Sequence, residues 1–238
     1  MPALGRKPMK YDARDWRMKD FLSVNDYKTT VTQKLWNLGK ILDQGDTPHC
    51  VGFAWAQYGI CEPVVDLFDN SDGDRIYYEA KVIDGEPNQE DGSTTRSGVQ
   101  AMVNDGRVEA NYAFANSIAD IEAWVLNKGP VVTGTNWTYN MFTPDSKGFV
   151  KPTGFIAGGH EYLIVGADSQ AKVFTFANSW GEGWGQKGFF YMTYKDYQKL
   201  FNAQGDACVS VELALTPEPV LSGWVIKSQT ETEIVLVK

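Results

Sequence analysis

Cys50 stands at a position suited to a nucleophilic thiol. It follows a loop that ends in Pro48-His49 and begins an apolar segment with helical spacing, whose periodic positions are Val51, Ala54, Tyr58 and Cys61. The unpaired N–H groups and the positive dipole end of a helix N-terminus favour a thiolate there. Because the thiolate is the reactive form, the sequence predicts that Cys50 is a nucleophile. Cys61, inside the same segment, is predicted to be a small core residue.

Three polar residues could assist such a thiolate. Gln44 lies six residues before Cys50 on a glycine-bearing loop, so its amide and the backbone N–H of Cys50 could form two donors for an oxyanion. His160 follows two glycines and is predicted at the start of a strand, as the general base. Asn178 is predicted at the end of a later strand, where it accepts from one imidazole nitrogen and leaves the other facing Cys50.

The positions of three neighbouring residues predict what each of them does. Trp180 is predicted to shield the bond between His160 and Asn178 from water. Adjacent residues at a helix start do not face each other, so His49 is a poor base for Cys50 and is predicted to line the groove or to be exposed. Glu161 points to the opposite side of its strand from His160 and is predicted to be a surface or structural residue.

The segments that must position these residues change from a helical to a strand-like pattern about halfway along the chain. From about residue 49 to 126 the apolar spacing is helical, and after Gly129-Pro130 short runs of β-branched and aromatic residues indicate strands. The predicted strands include residues 131–133, 162–165, 173–176 and 188–192. The pattern predicts an α+β protein with two lobes and a groove between them.

The order of these residues resembles that of the papain-like cysteine peptidases. The segments that carry the resemblance are Gln-x5-Cys from Gln44, Gly159-His160, Asn-Ser-Trp-Gly-x2-Trp-Gly-x2-Gly from Asn178, and Asp15-Trp16-Arg17. The resemblance spans about residues 11 to 213. The run that begins at Asn178 is its most specific part.

The resemblance implies a papain-like two-lobed fold with the active site in the groove. A peptidase domain over residues 1–215 would hold a helical lobe at about 18–126 and an antiparallel, barrel-like β lobe at about 127–215, completed by the first residues of the chain. Two prolines after Leu215 mark a boundary. Residues 216–238 are expected to form a C-terminal β extension packed on the main body, with strands at 220–226 and 233–237 joined by a polar stretch.

The resemblance also assigns roles. Cys50 would be the nucleophile, His160 the acid and base, Asn178 the residue that orients the imidazole, and Gln44 the oxyanion donor. Cys50 and His160 would form a thiolate–imidazolium ion pair. The residues expected to bind substrate are Gly92, Ser93, Trp180, His49 and Gly159, with the backbone of the stretch Asp91-Gly92-Ser93 pairing with the substrate chain.

The chain departs from the family pattern around the nucleophile. Thr47 stands where the pattern has a cysteine, and Val51 replaces an aromatic residue. With three cysteines in all, we expect a fold without disulfides and a reducing intracellular location, of prokaryotic or viral origin. No signal peptide is visible, and no inhibitory segment of ordinary length precedes Asp15, so latency by such a segment is not expected.

The net charge and the composition limit the classes of partner that the protein is expected to bind. The chain has 22 Lys and Arg residues against 30 Asp and Glu residues, a net charge of −8, which argues against nucleic acid and anionic membranes as partners. The glycines near the motifs do not form a phosphate-binding loop, and no cofactor or metal is expected. The expected partner is a peptide or protein substrate, and a monomer is favoured.

The sequence therefore predicts a cysteine-type peptidase, and an endopeptidase because no blocking insert is visible. One alternative keeps the fold and acts as an amidase or transferase on cell-wall peptides or other amides. Another is a non-catalytic module that binds peptide in its groove, which the altered segment from Thr47 to Val51 supports. The sequence does not determine the substrate preference.

Overall fold

The computed structural model describes residues 2–10, 12–210, 225–230 and 233–237, with side chains only up to residue 210. The α-helices are α1 (Val24–Tyr27), α2 (Cys50–Ile60), α3 (Asn70–Ile83), α4 (Thr95–Asn104), α5 (Ile118–Asn127) and α6 (Tyr194–Asn202), with 3₁₀ turns at Met18–Phe21 and Tyr139–Phe142. The strands are β1 (Trp16–Arg17), β2 (Gln33–Leu35), β3 (Ala113–Phe114), β4 (Val131–Thr138), β5 (Ile156–Asp168), β6 (Val173–Ala177), β7 (Phe189–Thr193), β8 (Asp206–Val209), β9 (Val225–Thr230) and β10 (Glu233–Val237).

The strands β1 to β8 form one open sheet. Its order is β1-β3-β8-β4-β5-β6-β7, and β2 pairs with β5 beside this path. All of these pairs are antiparallel except β1 with β3, which is parallel. The predicted α+β class is confirmed, but the β lobe is not a closed barrel, because β1 and β7 do not pair within the described residues.

Two hydrophobic cores lie on the two faces of β5. Tyr162 and Ile164 point into the core formed with β6, β7 and α6, whereas Leu163 and Val165 point into the core formed around α2. This alternation follows the period of two of an extended strand. A helix that is buried all round lies inside its domain, and every residue of α2 is buried. The helix that begins at Cys50 is therefore held firmly between α3, α4 and the sheet.

The N-terminus of α2 differs from those of the neighbouring helices in having no side-chain cap. Asp69, Thr94 and Ser117 cap α3, α4 and α5 with side-chain oxygens that accept from backbone N–H groups of the first turn. The residue before α2, His49, makes no side-chain cap hydrogen bond. The N–H groups at the start of α2 thus remain available to a ligand near Cys50.

The C-terminal strands β9 and β10 form an antiparallel hairpin. The sequence placed the first strand at residues 220–226, but the structure has β9 at Val225–Thr230, and residues 220–224 lie outside the described residues. The polar residues from Lys227 onward are therefore part of a strand. Pairing uses only backbone N–H and C=O groups, so polar side chains do not prevent it.

None of the helices among the described residues is long and apolar enough to cross a bilayer.

Candidate active site

The structure buries Cys50, His160 and Asn178 and brings the side chains of His160 and Asn178 into contact. Cys50 is the first residue of α2 and is completely buried. His160 is on β5, and Asn178 follows the end of β6. Both are also completely buried. The sequence placed His160 at a strand start, but β5 begins at Ile156, so the histidine lies within the strand.

The imidazole of His160 is oriented by Asn178. Its Nε2 lies 2.7 Å from the side-chain oxygen of Asn178, which also accepts the backbone N–H of Ser179 at 2.9 Å. Since an amide oxygen only accepts, this contact places the ring proton on Nε2. Nδ1 has no hydrogen-bond partner among the described residues and therefore presents its lone pair.

Two tryptophans enclose this imidazole. Trp180 stacks on His160 with ring centroids 4.6 Å apart, and Trp137 meets it edge-on at 5.0 Å. Together they fix the plane of the ring and exclude water from the bond to Asn178. Sequence reasoning missed Trp137, because its only signal is a large aromatic residue four residues beyond a predicted strand.

Gln44 is held by Ser179. The amide oxygen of Gln44 accepts the hydroxyl of Ser179 at 2.7 Å, and the backbone N–H of Gln44 donates to the Ser179 carbonyl at 2.8 Å. The amide nitrogen donates to the carbonyl of Thr47 at 2.6 Å and to that of Ala3 at 3.3 Å. Ser179 thus fixes which end of the Gln44 amide donates. In the sequence, the feature that points to Ser179 is its position next to Asn178.

Residues 3–7, here called the groove segment, run across Cys50. The N–H of Lys7 donates to the carbonyl of Ser93 at 2.7 Å, and the N–H of Ser93 donates to the carbonyl of Gly5 at 2.8 Å. The N–H of Arg6 donates to the carbonyl of Gly159 at 3.0 Å. The backbones at Ser93 and Gly159 therefore bind a polypeptide chain from its two sides, and that chain is the protein's own groove segment.

Glycines permit this close passage of backbones. A Cβ atom on Gly92, whose φ is +94°, would lie 1.9 Å from the carbonyl oxygen of Gly5. A Cβ atom on Gly159 would lie 2.1 Å from the carbonyl oxygen of Arg6. Glycine within a strand such as β5 marks a place where another backbone approaches closely.

A buried lysine anchors the loop that carries Gly92. Lys81 on α3 is fully buried; it donates to the carbonyl of Gly92 at 3.0 Å and pairs with Glu86 and Asp91 at 2.9 Å each. Burial of a charged group is tolerated only when it is paired and hydrogen-bonded in this way. Lys81 therefore holds one wall of the groove in place.

The groove segment covers the thiol with only five residues, because both walls of the groove bond to their backbone. It is not the segment of ordinary length whose absence the sequence predicts. Burial raises the pKa of Cys50 to about 12 and lowers that of His160 to about 4, which favours the neutral form of each group while the groove is covered. The ion pair stays a prediction for the open groove.

His49 lies elsewhere than expected, and of the two expected roles of Glu161, surface or structural, the structure has the second. The ring of His49 is buried, stacks on Tyr77 at 3.9 Å and has its Nδ1 2.7 Å from a carboxylate oxygen of Asp74, so it packs on α3 instead of lining the groove. Glu161 is not at the surface. It is fully buried, with its carboxyl 2.7 Å from the hydroxyl of Thr95.

Cys61 is buried, as predicted for a core residue, and Cys208 is buried as well. No disulfide joins the three cysteines. The described part of the chain contains no cluster of three or more His, Cys, Asp and Glu side chains that could hold a metal ion.

The burial of His160 predicts a pH dependence of stability. The folded-state pKa of about 4 lies below the ordinary value of 6.5, so the unfolded chain binds a proton first as the pH falls. The contribution of His160 to the free energy of unfolding is complete above pH 6.5 and is lost toward pH 4, by on the order of 3 kcal/mol. Urea denaturation of the native chain and His160→Gln across this range measures it. A difference between the two that does not change with pH would contradict the prediction.

A family model and two known cysteine proteinases match parts of this chain. The family model "Papain family cysteine protease" matches residues 63–209, a range that contains His160 and Asn178 but begins after Cys50. Cathepsin B-like cysteine proteinase 3 of Ostertagia ostertagi is 34% identical over 84 residues, which are 34% of this chain and 48% of that protein. A gut-specific cysteine proteinase of Caenorhabditis elegans is 36% identical over 90 residues, covering 37% and 27%. The matches thus span half or less of these relatives.

The fold itself has a solved counterpart. The structure of xylellain, a cysteine protease from Xylella fastidiosa, superposes with a TM-score of 0.73 at 18% identity, over 90% of this chain and 97% of that one. At this identity the superposition shows the shared fold alone. The family model covers well over half of the chain, and the chain therefore belongs to the papain family of cysteine proteases.

Proposed function

We propose that this protein is a cysteine peptidase that hydrolyses peptide bonds through an acyl-enzyme on Cys50. The observation that carries the proposal is the groove segment. A polypeptide chain lies over the thiol, bonded through its backbone to Ser93 and Gly159, with its Ala3 carbonyl at the amide of Gln44. A substrate peptide that replaces the groove segment would use the same backbone groups.

The proposed reaction uses the residues in the following way. When the groove segment leaves, water reaches Cys50 and His160, and the burial that keeps them neutral is relieved. The thiol proton passes to Nδ1 of His160, and the sulfur attacks the carbonyl carbon of the substrate. The resulting oxyanion accepts from the side-chain amide of Gln44 and the backbone N–H of Cys50.

His160 then completes both halves of the reaction. Its Nδ1 proton passes to the leaving amine as the C–N bond breaks, which leaves a thioester on Cys50. Water gives a proton to the same nitrogen and attacks the thioester, and the thiolate leaves and recovers that proton. Asn178 keeps the ring in the tautomer that each step requires.

The proposed partners are peptides or proteins, acted on by a monomer. Ser93 and Gly159 bind the groove segment through its backbone groups, which favours peptides over the other amides that a related amidase or transferase would use. The net charge of −8 supports a protein that does not act on nucleic acid or anionic membranes.

Covalent labelling tests this proposal. An epoxide peptide probe is expected to modify the native chain stoichiometrically at Cys50, and mass spectrometry of the digested protein locates the adduct. Cys208, which is fully buried in β8, serves as the internal control and should remain unmodified. His160→Ala should remove the labelling, since no base is left to activate the thiol. Peptide binding without labelling would instead indicate a non-catalytic module.

A further inference from the structure

The peptide group between His49 and Cys50 carries the backbone N–H that the proposed mechanism uses as an oxyanion donor. The carbonyl of this group accepts the N–H of Phe53 at 3.1 Å, but an N–H at a helix start has no partner inside the helix. A single hydrogen bond at the carbonyl restrains the tilt of the peptide plane only weakly. The contacts that hold His49 therefore also set the direction of the donor.

His49 is joined to α2 by a backbone that differs from the other helix starts. Its φ and ψ are −91° and 16°, whereas Thr94 and Ser117, which precede α4 and α5, are extended with ψ of 153° and 160°. An extended residue at this position directs its side chain to the first N–H groups of its own helix. The side chain of His49 makes no such bond and reaches α3 instead.

Three side chains of α3 hold the ring of His49. Its Nδ1 lies 2.7 Å from a carboxylate oxygen of Asp74, its face stacks on Tyr77 with ring centroids 3.9 Å apart, and Tyr78 meets it edge-on at 5.2 Å. Because a carboxylate only accepts, Nδ1 carries the proton of this hydrogen bond. The bond fixes the rotation of the ring and the stack fixes its plane, so a change in either side-chain torsion of His49 would lose a contact.

The same face of α3 holds the groove wall that binds a peptide backbone. Tyr77 accepts the backbone N–H of Gly92 at 3.1 Å, and Lys81, one turn further along, donates to the carbonyl of Gly92 at 3.0 Å. Residues three and four apart lie on one helix face, so Tyr77 and Lys81 share the face of Asp74. The residue after Gly92 is Ser93, whose backbone pairs with the groove segment. One helix face thus holds both the oxyanion donor and the substrate wall.

Close packing keeps α3 fixed against α2. A Cβ atom on Gly52 would lie 2.1 Å from the carbonyl oxygen of Gly73, and one on Gly73 would lie 2.7 Å from the ring of Phe53. The two helices therefore approach as closely as their backbones allow. The contacts on His49 are attached to a rigid support, which a site that aligns a donor to within about 0.5 Å requires.

We propose that His49 is a positioning residue of the peptidase reaction: held by Asp74 and Tyr77, it fixes the direction of the Cys50 N–H that receives the oxyanion. This inference rests on the proposed peptidase function and adds to it a residue that takes no part in proton transfer. His49 acts through the peptide group that it shares with Cys50, so its contribution appears when the oxyanion forms.

The test compares two reactions of Cys50, of which only one forms an oxyanion. Hydrolysis of a peptide coumarin amide passes through the oxyanion, whereas alkylation by iodoacetamide displaces iodide from a saturated carbon and forms none. Both reactions need the open groove, the activated thiol and the folded protein. These requirements cancel in the ratio of kcat/KM for hydrolysis to the rate constant for alkylation, which mass spectrometry follows at Cys50.

His49→Ala is expected to lower this ratio about 10- to 100-fold, which is less than the loss of a whole oxyanion donor. The loss should lie in kcat, with KM within about 3-fold of the native value, because the oxyanion is absent from the bound ground state. A structural role alone would slow both reactions alike. A ratio within about 3-fold of that of the native chain overturns the proposal.

Variants of Asp74 assign the effect to the contact with α3. Asp74→Ala removes the acceptor of Nδ1 and is expected to lower the ratio about 5- to 10-fold, whereas Asp74→Asn keeps an acceptor oxygen and should restore most of that loss. The matched control is Glu79→Ala, which removes a carboxylate of the same helix that accepts from Asn104 at 2.9 Å. This control should leave the ratio unchanged, and an equal ratio in Asp74→Ala and Glu79→Ala contradicts the proposal.

These outcomes differ from a failure of the peptidase proposal. In that case the native chain does not hydrolyse the coumarin amide and the epoxide probe leaves Cys50 unmodified. If His49→Ala does not fold, as thermal unfolding would show, the ratio in Asp74→Ala decides the inference. The side chain of Asp74 is 46% exposed, so its removal leaves no buried cavity.

Discussion

Replacing Cys50 by alanine is expected to abolish hydrolysis of peptide substrates, with a loss in kcat on the order of 10⁶-fold, as for other nucleophiles of acyl-transfer sites. The reason is that the thioester cannot form without the sulfur, and the remaining groups only bind and polarise the substrate. Cys208→Ala is the matched control, since it removes an equally buried thiol from β8 and should keep activity. Activity of Cys50→Ala within about 10-fold of the native chain would refute the mechanism.

Gln44→Ala should give an intermediate loss in the same assay. One of two oxyanion donors is removed, and such a donor contributes about 10²- to 10³-fold in kcat. Ser179→Ala provides a graded comparison, because it removes the hydroxyl that orients the Gln44 amide but leaves the amide in place. We therefore expect Ser179→Ala to lose less activity than Gln44→Ala, with KM nearly unchanged in both.

Short-range patterns made much of this site predictable. Cys50 is predicted from the apolar spacing of α2 and the loop before it, and Gln44 from its distance to Cys50 along the chain. His160 and Asn178 lie in segments whose glycines and strand residues are local signals, and the structure brings their side chains together at 2.7 Å. In each case the informative neighbours are within a few residues, where spacing and side-chain direction are linked.

Contacts between distant parts of the chain were not predictable in this way. Arg6 and Asp206 are 200 residues apart, and neither has a local pattern that points to the other. Strand alternation places Glu161 on the opposite side of β5 from His160 but does not show whether it is a surface or a structural residue, and both faces of this strand are covered. A strand buried on both sides has no outer side, and only the tertiary arrangement of α4, β5 and β8 reveals that.

Weakening the groove segment is expected to expose the thiol. Arg6→Ala removes one partner of a buried ion pair and leaves Asp206 unpaired as long as the segment stays bound. Breaking such a pair costs about 3–5 kcal/mol, and the cost falls on the bound state alone because Asp206 is hydrated once the segment leaves. The equilibrium should shift toward the open groove, and the rate at which the epoxide probe modifies Cys50 should rise by about 10²-fold or more.

Lys7→Ala is the matched control for this prediction. Lys7 also belongs to the groove segment and pairs with Glu86 and Asp91 at 2.8 Å each, but its side chain is 32% exposed. Exposed ion pairs contribute about 0–1 kcal/mol, so labelling of Lys7→Ala should be less than about 5-fold faster than that of the native chain. Equal labelling rates in Arg6→Ala and the native chain would mean that the segment does not limit access to Cys50. A large increase in Arg6→Ala alone would show that the buried ion pair, and not the charge of the segment in general, holds the groove closed.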